Sequence, residues 1–270
     1  MPTRHALVAG LAAALLAGGW LACSGRVGGV PRNLTLVAAT DSTVALAWDE
    51  PDAGTPDQYF VYFRQVGTGP YLRVKETVET DFTHDPAGMT GWYRVTAQFA
   101  ADEYYAPETL TTVPVETPED LVVEFSLAGN SGFGWDRATG AGLSYPMRQD
   151  ESADAVDFYV TDFALGYAGP AYSIASPTYG PSDPSGEVPQ APWRMSRFTA
   201  ELPDERAPLP RYSDIVYQTA RVVHPGLALG CRTEDGHYAM VKVTEVNTLT
   251  GQVRLRSWFQ LVPGLRLIRH

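Results

Sequence analysis

Apolar and polar residues alternate with a period of two through the first half of the chain. Val44, Leu46 and Trp48 fall on one side of their segment, Tyr59, Val61 and Phe63 on one side of the next, and Tyr93, Val95 and Ala97 on one side of a later one. Successive side chains of a strand point to opposite faces, so each run predicts a strand with one buried face. Turn-forming clusters separate the runs: Asp49-Glu50-Pro51-Asp52-Ala53-Gly54, Gly67-Thr68-Gly69-Pro70 and Asp85-Pro86-Ala87-Gly88. No helical period is convincing before Thr117. Short strands at this spacing over residues 31–117 predict a two-sheet sandwich, with Trp48 in its core.

Thr117-Pro118-Glu119-Asp120 reads as a linker, with strand-like sequence resuming at Leu121, so the second domain is expected over residues 120–270. It opens with a turn-rich aromatic segment, Asn130 to Gly140, followed by a strand around Ala155 to Val160. Tyr238 to Val246 and Val253 to Gln260 flank Asn247-Thr248-Leu249-Thr250-Gly251, a hairpin signal with Gly closing the loop. Residues 168–212 hold nine prolines together with Tyr172, Tyr179, Trp193, Met195, Phe198 and Tyr212. Proline stops ladders from running far, so this stretch predicts a long aromatic loop, either functional or draped over a sheet edge as a satellite core. The expected fold class is all-β, a sandwich followed by a second antiparallel β domain.

The N-terminus speaks to location. Arg4 and His5 precede an apolar run from Ala6 to Ala22 that is broken by Gly10, Gly18 and Gly19 and ends on Leu21-Ala22-Cys23. That run is short for a membrane span of about 20 residues and matches an export signal. It resembles the bacterial lipoprotein signal, although Trp20 stands where that signal usually carries Leu. The resemblance implies removal of residues 1–22, lipidation of Cys23, a tether over 23–30, and a lipid-anchored protein of the outer membrane or cell surface. An ordinary secretory peptide or an uncleaved anchor is the alternative. Cys23 and Cys231 are the two cysteines. With the first lipidated, Cys231 reads as a small buried core residue, a Cys23–Cys231 bridge being the other reading.

A formal net charge of -11 argues against nucleic acid as a partner, since such surfaces carry a basic face. Catalytic signatures are missing: Gly129-Asn130-Ser131-Gly132 fails the nucleophile elbow, and neither a His-Glu-x-x-His pair nor a Gly-rich phosphate loop occurs. Scattered His and a single free Cys make a structural metal site unexpected, and Asp150-Glu151, Asp154 and Asp157 lack the closely spaced ligand loop of a calcium site. No enzyme is expected.

Two resemblances follow from particular residues. Pro31-x-x-Leu34, Val44-x-Leu46-x-Trp48, Tyr59-x-Val61-Tyr62 and Tyr93-Arg94-Val95-Thr96-Ala97 resemble a fibronectin type III domain. Gly91 stands where many members carry the corner tyrosine, so that hydrogen bond is expected to be missing and the corner looser. In the second half, Gly132-Phe133-x-Trp135-x-x-x-Thr139-Gly140, Asp154-x-x-Asp157-Phe158, Leu229-x-x-Arg232-Thr233-x-Asp235-Gly236-x-Tyr238-Ala239-x-Val241-x-Val243 and the ending from Gly251 to Gln260 resemble the HmuY-like haem-binding lipoproteins. This resemblance implies haem as ligand and fails in the middle, where the axial ligands should lie. His224, Met195 and His237 are the candidate donors, with Tyr172, Tyr179, Trp193, Phe198 and Tyr212 as candidate pocket walls. No pair among them has a spacing that imposes a site. The alternative is a structural or adhesive envelope protein that binds glycan or another protein, with no haem.

Overall fold

The computed structural model describes residues 29–67, 69–106, 109–123, 129–161, 172–178 and 191–270. The signal segment, Cys23 and Tyr179 lie outside these residues. The fold is all-β, with no α-helix among the described residues.

Eight strands form the first unit: β1 (Arg32–Ala38), β2 (Val44–Asp49), β3 (Gln58–Gln65), β4 (Leu72–Thr77), β5 (Asp81–His84), β6 (Gly91–Phe99), β7 (Asp102–Tyr105) and β8 (Leu110–Thr111). They make two antiparallel sheets, ordered β1-β2-β5 and β4-β3-β6-β7, with β8 also paired to β6. This is a fibronectin type III-like sandwich, and the alternating residues of the three strong runs face its core as expected. Val44, Leu46, Trp48, Tyr59, Val61, Tyr93, Val95 and Ala97 are buried together. Trp48 meets Tyr59 edge to face at 5.4 Å, an arrangement that suits the ring quadrupoles.

At Gly91 the structure departs from the expected loose corner. The Gly91 amide donates to Thr112 Oγ1 at 3.0 Å, and its carbonyl accepts from the hydroxyls of Thr111 and Thr112. A Cβ at this position would stand 2.2 Å from the Arg64 carbonyl and 2.6 Å from the Phe63 ring. Threonines therefore tie the corner, and the close approach of β3 admits only glycine.

The second unit contains β9 (Val115–Val123), β10 (Gly132–Trp135), β11 (Gly142–Tyr145), a single 3-10 turn (Asp150–Ser152), β12 (Phe158–Thr161), β13 (Ser173–Ala175), β14 (Arg197–Phe198), β15 (Ala220–Val222), β16 (Ala228–Arg232), β17 (Tyr238–Asn247) and β18 (Gln252–Phe259). It is a second sandwich, with sheets β11-β10-β12-β13-β15 and β14-β16-β17-β18-β9. Phe133, Trp135 and Phe158 of one sheet pack on Val241, Leu255 and Phe259 of the other. The expected hairpin at Asn247 to Gly251 joins β17 to β18, with Gly251 at φ 70°.

The segment read as a linker is inside a strand. β9 runs through Thr117 to Asp120 and pairs with β18, and the ladder shifts register between Leu255, opposite Asp120, and Ser257, opposite Thr117. Pro118 thus sits at a bulge on an edge strand, one of the few sheet positions that tolerate a residue without an N–H.

The last residues bind the two sandwiches together. After β18 the chain crosses back, and Val262, Leu265 and Leu267 enter the core of the first sandwich. The Arg266 amide donates to the Asp41 carbonyl at 2.7 Å, and Arg266 Nε bonds the Asp41 carboxylate at 3.0 Å. Gln260 Nε2 donates to the Thr112 and Leu267 carbonyls at 2.8 and 2.7 Å. The Thr90 hydroxyl donates to the Arg269 carbonyl. The strap thus adds three buried side chains to the core of the first sandwich.

Candidate functional site

The described residues do not bring the expected haem donors together. His224 follows β15, is exposed, and places Nε2 3.3 Å from the Glu201 carboxylate. His237 is buried at the entry to β17, with Nδ1 2.8 Å from the Gln260 carbonyl and its ring stacked on Phe259 at 4.9 Å. The two lie beyond opposite ends of β16, a strand about 17 Å long at the usual rise per residue. Met195 borders a cavity of 140 Å³ shared with Arg197, Tyr212 and Arg232, below the range of about 300–1,000 Å³ usual for ligand pockets.

The expected wall residues also separate. Phe198 is in the main core between the sheets. Trp193 packs on Met147 and Tyr159 at the outer side of the other sheet. Tyr212 lies 5.3 Å from Tyr217 and under the Arg232 guanidinium at 4.3 Å. Tyr172 donates its hydroxyl to the Thr248 carbonyl at 3.3 Å. The stretch over residues 202–217 covers the outer face of the β16-β17-β18 sheet as a satellite core, with Leu209 and Tyr217 in one cluster with Met240 and Trp258. Cys231 is fully buried in the main core, and desolvation pushes its thiol well above the usual range.

What does converge is a subset of the residues that carry the second resemblance, Trp135, Asp157, Thr233 and Asp235, gathered around Arg137, which is not one of them. Arg137 grips fully buried Asp157 with two bonds of 2.8 and 2.7 Å, and reaches Asp235 at 2.6 Å. Asp157 also accepts the Trp135 amide at 3.0 Å, and Thr233 donates to Asp235 at 2.6 Å. Arg194 approaches both carboxylates at 3.5 Å. Burial alone would raise the Asp235 carboxyl, but the bonds from Arg137 and Thr233 hold it down at about 2. Burial likewise opposes the Arg137 charge, and its two carboxylate partners more than offset this, raising its pKa. Through Arg137, Trp135, Asp157, Thr233 and Asp235 pin β10, the start of β12 and the β16–β17 turn to one another. The signature encodes a fold-holding knot.

Between the two sandwiches lies a cleft of 500 Å³, lined by Asp85, Arg206, Leu209, Arg266, Ile268 and Arg269 among others. Arg266 is committed to Asp41 and to the Leu209 carbonyl, and so serves the strap.

A distinctive, largely half-buried surface feature among the described residues is on the first sandwich. On the outer face of the β4-β3-β6-β7 sheet, aromatic rings and guanidinium groups alternate in a continuous row: Trp92, Arg64, Tyr71, Arg94, Tyr105. The Arg64 carbon lies 4.4 Å from the Trp92 ring and 5.0 Å from Tyr71. The Arg94 carbon lies 4.5 Å from Tyr71 and 4.8 Å from Tyr105. Strand register builds it, because Arg64 stands directly opposite Trp92, and Tyr62 opposite Arg94. Cations over aromatic faces are attracted by the ring quadrupole. Among the described residues no carboxylate pairs with Arg64 or Arg94; the nearby Glu103 accepts from Tyr62 at 2.8 Å and Thr96 at 2.7 Å. The sequence signal was available in Arg64 and in Trp92-x-Arg94, arginine and tryptophan on the outward face of adjacent strands, but only the register shows that they meet.

No family model matches the chain, and no curated protein matches it. Solved structures similar to it include the twitchin kinase region from C. elegans, 21% identical, with a TM-score of 0.28 over 30% of this chain and 15% of that one. Titin kinase and its flanking domains are 11% identical, with a TM-score of 0.30 over 88% of this chain and 38% of that one. A two-domain fibronectin type III segment from chicken tenascin is 15% identical, with a TM-score of 0.26 over 78% of this chain and 91% of that one. TM-scores of this size add nothing to the strand order, on which the description of the first sandwich as fibronectin type III-like rests.

Proposed function

We propose that the chain is a lipid-anchored envelope protein of adhesive type, which binds an external ligand through a sandwich surface and does not depend on axial haem ligation. The observation that carries this reading is the contrast between two surfaces. The expected donors His224, His237 and Met195 are dispersed and partly committed, whereas the row from Trp92 to Tyr105 is ordered, and its two cations have no carboxylate partner among the described residues. The Cys23 signal supports the anchor, and the strap supports a stiff two-sandwich unit that holds the binding face away from the membrane.

Two measurements test the reading. Fractionation should place the wild type with membranes and release Cys23→Ser or leave it with its signal attached, since one lipidated residue supplies the membrane affinity. Equal membrane association of both, with the signal cleaved in both, would refute the anchor. Haemin titration should give no saturable Soret band; a band that His224→Ala abolishes would restore the haem reading.

A further inference from the structure

We propose that the stacked row on the first sandwich is a docking surface for an acidic polysaccharide, a polymer of uronate type. This rests on the envelope-binding reading above and gives its ligand a chemical class. Three features of the row lead to it.

The first is charge. The protein carries a formal net charge of -11, yet this face concentrates two arginines with no carboxylate partner among the described residues. A guanidinium offers a planar fork of N–H donors that fits a carboxylate with two bonds. Stacking covers the faces of Arg64 and Arg94, both half-buried, and Arg94 Nε is enclosed without a hydrogen-bond partner, so an anion would be met by the terminal nitrogens of the forks.

The second is pre-organisation. Each guanidinium is held between two rings, so little side-chain freedom remains to be lost when an anion arrives. Their distances to the shared Tyr71 ring, 5.0 and 4.5 Å, bound the separation of the two guanidinium carbons at 9.5 Å. The two forks are therefore near enough for acid groups of one polymer chain to reach both.

The third is the company the cations keep. Tyr105 ends the row at 57% exposure, which leaves ring surface for the C–H face of a pyranose. A sheet face on which cation and ring alternate suits an extended, repeating chain whose acid groups alternate with apolar sugar faces.

The experiment uses the full chain in detergent and measures binding of polygalacturonate, of the same polymer fully methyl-esterified, and of polyglutamate. Saturable binding of polygalacturonate is expected, weakening as salt rises and disappearing on esterification, which removes charge and keeps the backbone. Arg64→Gln and Arg94→Gln should each weaken it about tenfold, the scale of one charge-assisted contact. Should a Gln variant fail to fold, Arg64→Lys and Arg94→Lys keep stem and charge but lose the fork, and weaker binding by the folded Lys variants is then the expected result. The proposal is overturned by absent saturable binding, by equal binding of the esterified polymer, or by unchanged binding in the double variant. Polyglutamate binding as tight as polygalacturonate would reassign the face to an acidic peptide. Loss of membrane association in fractionation with polygalacturonate binding intact would sink the envelope reading alone.

Discussion

Leu265→Ala tests whether the strap belongs to the core of the first sandwich. Leu265 is fully buried there, beside Val262 and Leu267 and among residues such as Trp48, Tyr93 and Val95 that precede it by well over a hundred positions. Truncating a buried leucine removes its transfer free energy and leaves a cavity, costing about 2–5 kcal/mol. Here collapse around the cavity is restricted, because the strap backbone is fixed on both sides by Gly264 N to Gly236 O at 2.9 Å and Arg266 N to Asp41 O at 2.7 Å. The cost should appear as faster amide exchange in β2 and β6, by about thirtyfold to several thousandfold at tenfold per 1.4 kcal/mol. Leu249→Ala, at a side chain 96% exposed, is the control and should stay within about 0.5 kcal/mol. Unchanged exchange in β2 and β6 alongside faster exchange in β17 and β18 would refute the shared core.

The remaining predictions concern the second sandwich. Asp157→Asn should cost about 3–5 kcal/mol in urea unfolding, since it leaves the Arg137 cation without its buried partner; a loss under 1 kcal/mol would show that the knot is dispensable. The Asp235 carboxyl, held at about 2 in the fold against an ordinary 3.8, contributes stability that is complete above about pH 4 and is lost as pH falls towards 2. With its side chain 36% exposed, that contribution is about 1 kcal/mol, read as the urea midpoint of wild type against Asp235→Asn from pH 5 to pH 2, and parallel curves would contradict it. Gly134→Ala should destabilise by about 1–3 kcal/mol, because its Cβ would lie 1.7 Å from the Ala155 carbonyl; a neutral result would mean that β10 and the segment before β12 can separate freely.

The strand content was legible where alternation was strong and each strand buried one face. Val44-x-Leu46-x-Trp48 and Tyr93-x-Val95-x-Ala97 could be assigned to a core because polar neighbours marked the other face. Pro118 misled for a local reason: proline excludes a residue from most ladder positions, and nothing in the neighbouring residues reveals that a bulge opposite Arg256 will accommodate it. The strap was invisible because Val262, Leu265 and Leu267 show no complete alternation, and their partners lie in the first half of the chain. The Arg137, Asp157 and Asp235 network was not legible, since a buried charge network is recognised by convergence, and these residues come from three separate segments. His224 and His237 drew notice as residue types able to ligate iron, a property that says nothing of where the side chains point. The stacked row escaped notice because it depends on the register of β3 against β6, which alternation within one strand does not set.

Tryptophan fluorescence during a polygalacturonate titration locates the ligand most directly, because Trp92 belongs to the stacked row and Trp193 to the loop cluster beside Met147. If the row is the binding surface, the wild type and Trp193→Phe should show the same saturable change, and Trp92→Phe should lose it. A change that persists in Trp92→Phe and vanishes in Trp193→Phe would place binding on the second sandwich and contradict the assignment made here.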